Sequence, residues 1–125
     1  MNPTNILIVD DEVDICWAFN MTLRDEGYHV THVTRGEEAL NKVKENAFDI
    51  AIIDVKLPGI GGIELSKMIK EINPEVKVVM MSGYLYGDDQ PIQEGIQNGD
   101  YMGFISKPFN LDGVSSIVRK IANGH

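Results

Sequence analysis

The sequence predicts an α/β domain of five strand–helix units, (βα)5, wound on both faces of a parallel sheet. Three observations lead there. Short apolar runs recur along the 125 residues at 6–9, 50–53, 78–81 and 103–105, with a half-polar run at 28–33. Between the runs, hydrophobic residues switch to helical spacing, so strand and helix patterns alternate throughout. The runs are continuous rather than alternating, as expected of strands covered by helices on both faces. Right-handed crossovers then place helices on both sides of the sheet.

The elements follow in order. Ile6-Leu7-Ile8-Val9 is the first strand, and it ends in Asp10-Asp11-Glu12. Ile15, Phe19 and Leu23 repeat at helical spacing, and Gly27 closes that helix. Residues 28–33 form a second strand, and His29, Thr31 and His32 mark it as a partly exposed edge. Thr34-Arg35-Gly36-Glu37 has the capping-box pattern, opening a helix through Ala39, Leu40 and Val43. Ile50-Ala51-Ile52-Ile53 is the third strand and ends at Asp54. Leu65, Met68, Ile69 and Ile72 make the buried stripe of a third helix, which stops before Asn73-Pro74. Val78-Val79-Met80-Met81 leads to Ser82. A fourth helix starts near Asp88-Asp89-Gln90-Pro91, and Gly95 with Asn98-Gly99 limits it to about two turns. Gly103-Phe104-Ile105-Ser106 runs into Lys107-Pro108. Val114, Ile117, Val118 and Ile121 form the last stripe, with Asn110 as its N-cap.

Composition narrows the function. The length suits one domain over residues 1–125, and the 43% apolar and 24% charged content is that of a globular protein. No apolar run approaches the roughly 20 residues that cross a bilayer. Met1-Asn2-Pro3-Thr4-Asn5 lacks the basic start of a secretory leader, so a cytoplasmic location is expected. A net charge of −8 argues against binding nucleic acid or an anionic membrane. Cys16 stands alone, so no disulfide framework exists, and it reads as half-buried packing. His29 and His32 lack zinc-site spacing.

The strand ends carry the chemistry. They bring Asp10, Asp11 and Asp54, the Ser82 hydroxyl and the Lys107 amine to one edge, where open α/β sheets bind ligands. If the third strand lies beside the first, the three carboxylates crowd and repel one another. A hard divalent cation resolves that, and Mg²⁺ takes carboxylate, water and phosphate oxygens. Lys107 and Ser82 suit an anion beside the ion. An Asp in that setting can attack phosphorus and keep the phosphoryl group, because the transfer needs mostly positioning and charge neutralisation.

These residues are recognisable together. Ile6-Leu7-Ile8-Val9-Asp10-Asp11-Glu12, Asp54-Val55-Lys56-Leu57-Pro58-Gly59, Met81-Ser82-Gly83-Tyr84 and Phe104-Ile105-Ser106-Lys107-Pro108-Phe109 resemble the receiver domain of bacterial two-component response regulators. The resemblance spans almost the whole chain and implies a flavodoxin-like sheet ordered 2-1-3-4-5. It implies that Asp54 is the phosphoacceptor. Asp10 and Asp11 would hold Mg²⁺ together with Asp54 and the main-chain carbonyl of Lys56. Ser82 would bind phosphoryl oxygens, Lys107 would pair with the acyl phosphate, and Phe104 would be the switch aromatic. Pro108 would follow a cis peptide bond. The implied partners are a histidine kinase or a phosphotransfer protein upstream. Downstream they are an effector protein or fused output domain, with phosphorylation-dependent homodimers as a further outcome. The chain would be a phosphoacceptor rather than an enzyme with its own substrate.

Some positions depart from the family. Gly61 stands where an Asp is common, Gly83 replaces a common Ala, and the segment from Ser82 to Lys107 is longer than usual. Lys56 and Tyr84, two residues after Asp54 and Ser82, are long enough to cover a phosphoryl group and slow its hydrolysis. Trp17, with Asp14, Ala18 and Met21, lies on a helix that receivers use to dock kinases, although ordinary packing is the simpler expectation. Two other classes compete. A haloacid-dehalogenase-like phosphatase also uses a strand-end Asp with Mg²⁺, but it needs a second Asp two residues on, where this chain has Glu12 or Val13. A pseudo-receiver that only binds partners would have lost a pocket residue, and none is lost here.

Overall fold

The computed structural model describes residues 4–83, 90–107 and 110–123, without the side chains of residues 90–92 and 107. Strands and helices alternate as β1 (Asn5–Val9), α1 (Val13–Asp25), β2 (His29–Val33), α2 (Gly36–Glu45), β3 (Ile50–Asp54), α3 (Gly62–Ile72), β4 (Lys77–Gly83), α4 (Gln90–Asn98), β5 (Gly103–Lys107) and α5 (Leu111–Ala122). The five strands are parallel and ordered β2-β1-β3-β4-β5. The order in which strands are added to the sheet therefore reverses between β1 and β3, which opens a crevice at their C-terminal ends.

Side-chain alternation divides the interior in two. Leu7, Val9, Ala51, Ile53, Val78 and Met80 face α2 and α3, where they meet Ala39, Val43, Leu65 and Ile69. Ile6, Ile8, Ile50, Ile52, Val79 and Met81 face α1 and α5, where they meet Cys16, Phe19, Leu23, Val114 and Val118. Every residue of β3 is buried, as the continuous apolar run implied. On β2 only Val30 and Val33 are buried, and His29 and His32 are exposed, as suits an edge strand.

Two expected caps form. Gly27 takes φ +95° and its N–H donates to the Arg24 carbonyl, ending α1 in the left-handed turn that glycine favours. The Asn110 side chain accepts from the N–H groups of Asp112 and Gly113 at 2.7 and 3.2 Å. The capping box at Thr34 does not form. The N-cap of α2 is Arg35, which makes no side-chain cap bond, and Thr34 Oγ1 donates to Glu38 Oε1 at 3.4 Å instead. Ile72 also departs from expectation, since it lies exposed at the end of α3. Cys16 is fully rather than half buried.

Trp17 overturns the simple packing expectation. It is 64% exposed, and Val13 and Met21, one helical step to either side, are 65% and 49% exposed. The outer face of α1 is therefore an apolar stripe turned to solvent.

Candidate functional site

β1 and β3 build the site together. Val9 pairs with Ile53, so Asp10 and Asp54 come next at the same level on adjacent strands, about 4.8 Å apart in backbone spacing. Alternation puts both on the α1/α5 face with Ile8 and Ile52. Asp10 is fully buried and Asp54 is 4% exposed.

Each carboxylate also shapes the loop that follows it. Asp10 Oδ1 accepts the Glu12 N–H at 2.8 Å, and Asp54 Oδ1 accepts the Lys56 N–H at 3.1 Å. Both are tight turns in which an Asp side chain replaces a backbone acceptor. The Cys16 thiol donates to the Asp10 carbonyl at 3.3 Å, tying α1 to the same turn. Gly62 is fixed by close approach, because a Cβ there would stand 2.0 Å from the Asp54 carbonyl oxygen. Only glycine lets α3 start directly against the Asp54 backbone.

The carboxylate grouping differs in part from the expected set. Carboxylate oxygens of Asp10, Asp11 and Glu12 lie within 4.8 Å of one another, and Asp54 is outside that trio although it adjoins it by register. Glu12 is a site residue that the chain's pattern did not single out, although it stands directly in the Asp-Asp-Glu run. An all-oxygen donor set on two neighbouring strand ends fits a hard divalent cation such as Mg²⁺.

The other expected residues sit on β4 and β5. Ser82 is buried and belongs to β4 rather than following it, paired with Ser106. Gly83 pairs with Lys107, which places the Lys107 backbone at the same edge. Phe104 pairs with Met80 and packs against the α2/α3 core. Alternation puts Ser82 on that same face, two residues beyond Met80. Lys56 is exposed. The side chain of Lys107, and Tyr84, Pro108 and Asp88-Asp89 altogether, lie outside the described residues.

The chain has clear relatives among known proteins. The family described as response regulator receiver domain matches residues 6–119. Sporulation initiation phosphotransferase F of Bacillus subtilis is 36% identical over 120 residues, covering 96% of this chain and 94% of the relative. Transcriptional regulatory protein ZraR of Escherichia coli K12 is 31% identical over 122 residues, but these make up only 27% of its length. Among solved structures, a CheY-like receiver domain protein from Methanospirillum hungatei is 30% identical with a TM-score of 0.84, covering 98% of this chain and 96% of that one. The Thermotoga maritima response regulator TrrA, in complex with Mg²⁺-BeF, is 30% identical with a TM-score of 0.81, covering 94% and 98%. A matching family over most of the chain, a relative 36% identical along nearly its whole length and solved receiver domains with TM-scores above 0.8 lead to one conclusion: this chain belongs to the receiver domains of two-component response regulators.

Proposed function

We propose that the chain, acting as one receiver unit over residues 1–125, accepts a phosphoryl group on Asp54 in the presence of Mg²⁺. The donor is the phosphohistidine of a histidine kinase or of a phosphotransfer protein. One observation carries this reading: the β1–β3 register sets buried Asp54 beside buried Asp10, next to the Asp10-Asp11-Glu12 trio. Two relatives support it, one named a phosphotransferase and one seen with Mg²⁺-BeF.

In the transfer, an Asp54 carboxylate oxygen bonds to phosphorus as the P–N bond of the donor breaks. The bonding pair leaves on the imidazole nitrogen, and the product is an acyl phosphate. Asp10, Asp11, Asp54 and the Lys56 carbonyl would hold the ion, with Glu12 adding negative charge beside it. Mg²⁺ supplies the positive charge that crowded carboxylates and an incoming phosphoryl group require. Lys107 pairs with the acyl phosphate from β5, and the Ser82 hydroxyl donates to a phosphoryl oxygen. Phe104, on the same sheet face as Ser82, turns inward as that hydroxyl moves.

The signal then leaves through surfaces. The exposed stripe of Val13, Trp17 and Met21 borders the acidic edge and suits docking of the phosphoryl donor. The readout is an effector protein, a fused output domain or a second phosphorylated copy. The chain spans about a quarter of ZraR, so output within a longer polypeptide is one form this takes. The domain works in the cytoplasm, as an acceptor that catalyses only its own phosphorylation and dephosphorylation. Incubation with acetyl phosphate, with and without Mg²⁺, tests the reading by intact mass. One phosphoryl group should add only with the ion, and Asp11→Asn should raise the Mg²⁺ needed. Equal uptake in a chelator refutes it.

A further inference from the structure

Residues 55–61 join Asp54 to α3, and their path decides where the Lys56 main chain lies. One end of this loop is tied to the sheet, and its two ends are tied to each other. Val55 N–H donates to the Met81 carbonyl at 2.8 Å, and Gly62 N–H donates to the Val55 carbonyl at 2.9 Å. The outer half rests on α2 instead. Ile60 Cβ lies 3.0 Å from where a Cβ on Gly36 would stand, and the Ile60 carbonyl oxygen lies 3.5 Å from the same point. One residue further on each side, Glu37 Oε1 lies 3.0 Å from the equivalent point on Gly59, whose φ is +76°. Leu57 and Ile60 pack on the core cluster that includes Ala39 and Val43 of α2.

Gly36 is the first residue of α2 and is buried. Alanine is the better helix former at a helical position, so the missing side chain does nothing for the helix. It serves the loop, which uses the space. We propose that the first turn of α2, through Gly36 and Glu37, is a positioning support for the acceptor loop, setting Ile60 and Gly59 and through them Lys56 and Asp54. Neither residue touches the reacting atoms. Their effect reaches Asp54 through the Lys56 N–H that its carboxylate accepts. The consequence for Mg²⁺ rests on the reading of Asp54 as acceptor, whereas the loop contact does not.

The test uses Gly36→Ala, which pushes on Ile60, and Ile60→Ala, which removes the support from the other side. Amide exchange of Lys56 in the metal-free protein is compared with that of Ile8 and Ile52 in the strands. Mg²⁺ affinity is measured by calorimetry and global stability by urea unfolding. Lys56 exchange should rise several-fold in both variants while the strand amides hold, and Mg²⁺ affinity should fall about tenfold, the scale on which residues behind metal ligands act. In Gly36→Ala the better helix former offsets the displaced loop, so unfolding should move little. Unchanged Lys56 exchange and Mg²⁺ affinity in both folded variants overturn the proposal, as does a loss of protection spread evenly over the sheet. If Gly36→Ala fails to fold, Ile60→Ala decides alone. A wild type that takes no Mg²⁺ refutes the acceptor reading, and the metal-free exchange comparison then judges the α2 support by itself.

Discussion

Neutralising Asp54 should make the metal-free protein more stable. Asp10 is fully buried, Asp54 is 4% exposed, and the register sets them side by side at the ends of neighbouring strands. Directly opposed positions place Cβ atoms about 5 Å apart. Two unit charges at about 5 Å repel by about 3 kcal/mol at an effective dielectric of about 20. Asp54→Asn removes that repulsion while keeping a carbonyl oxygen to accept the Lys56 N–H. The proposed pairing of Lys107 with this site would offset part of it, leaving a net gain of about 1–3 kcal/mol. For a chain of this size each kcal/mol moves the melting temperature by about 3–5 °C. Urea and thermal unfolding in a chelator, followed by circular dichroism, measure the gain. Added Mg²⁺ should then raise the wild type more than Asp54→Asn, because the variant lacks one of the proposed ligands. A variant no more stable than wild type in chelator, or equal Mg²⁺ shifts in the two proteins, would mean that Asp10 and Asp54 do not share a site.

Three further outcomes follow from other parts of the molecule. Hydrogen bonds from Ser115 and Arg119 hold the Glu26 carboxyl below its ordinary value of 4.5, and Arg119 Nη2 lies 2.8 Å from Glu26 Oε1. A depressed folded value means that this link between α1 and α5 contributes above the ordinary value and is lost as pH falls through the folded one. The stability difference between wild type and Arg119→Ala should therefore be full above the ordinary value of 4.5 and close as the pH falls below it through the folded value, as urea midpoints will show. Gly61→Asp should raise the free energy of unfolding by about 0.5–1 kcal/mol, read from urea unfolding, by capping α3 and stiffening the unfolded chain. The site allows it, since Gly61 has φ −68° and ψ 157° and a Cβ there meets nothing within 4 Å. If Lys56 and Tyr84 shield the acyl phosphate, Lys56→Ala and Tyr84→Ala should each speed its hydrolysis several-fold, and rates equal to wild type would end that idea.

Much of this molecule was legible in its residues because periodicity and strand ends report the fold directly. Continuous runs such as Ile50-Ala51-Ile52-Ile53 are buried on both faces as their composition required. Asp10, Asp54 and Ser82 reached one edge because each lies at the C-terminal end of a parallel strand. What stayed hidden depended on local geometry. Thr34 has the right neighbours for a capping box, yet α2 begins after Arg35 and leaves Thr34 to bond Glu38. Trp17 is large and apolar, but its helical phase sets it opposite Cys16, Phe19 and Leu23, and phase is decided by the sheet rather than by the residue. Glu12 joined the carboxylate trio through the turn that the Asp10 side chain makes with its N–H, a three-dimensional fact that spacing alone does not carry. The contact of Gly36 with Ile60 joins the start of α2 to a loop far along the sequence, and a glycine gives no sign of what occupies its empty space.

Asp54 is the proposed phosphoryl acceptor. Phosphorylation from a phosphohistidine donor in Mg²⁺, followed by borohydride reduction and peptide mass spectrometry, reads the site directly, because reduction of an aspartyl phosphate leaves homoserine at the modified position. Homoserine should appear at position 54 alone in the wild type, and Asp54→Asn should yield none. Homoserine at Asp10 or Asp11 in the wild type, or undiminished phosphoryl uptake by Asp54→Asn, would refute the assignment of Asp54.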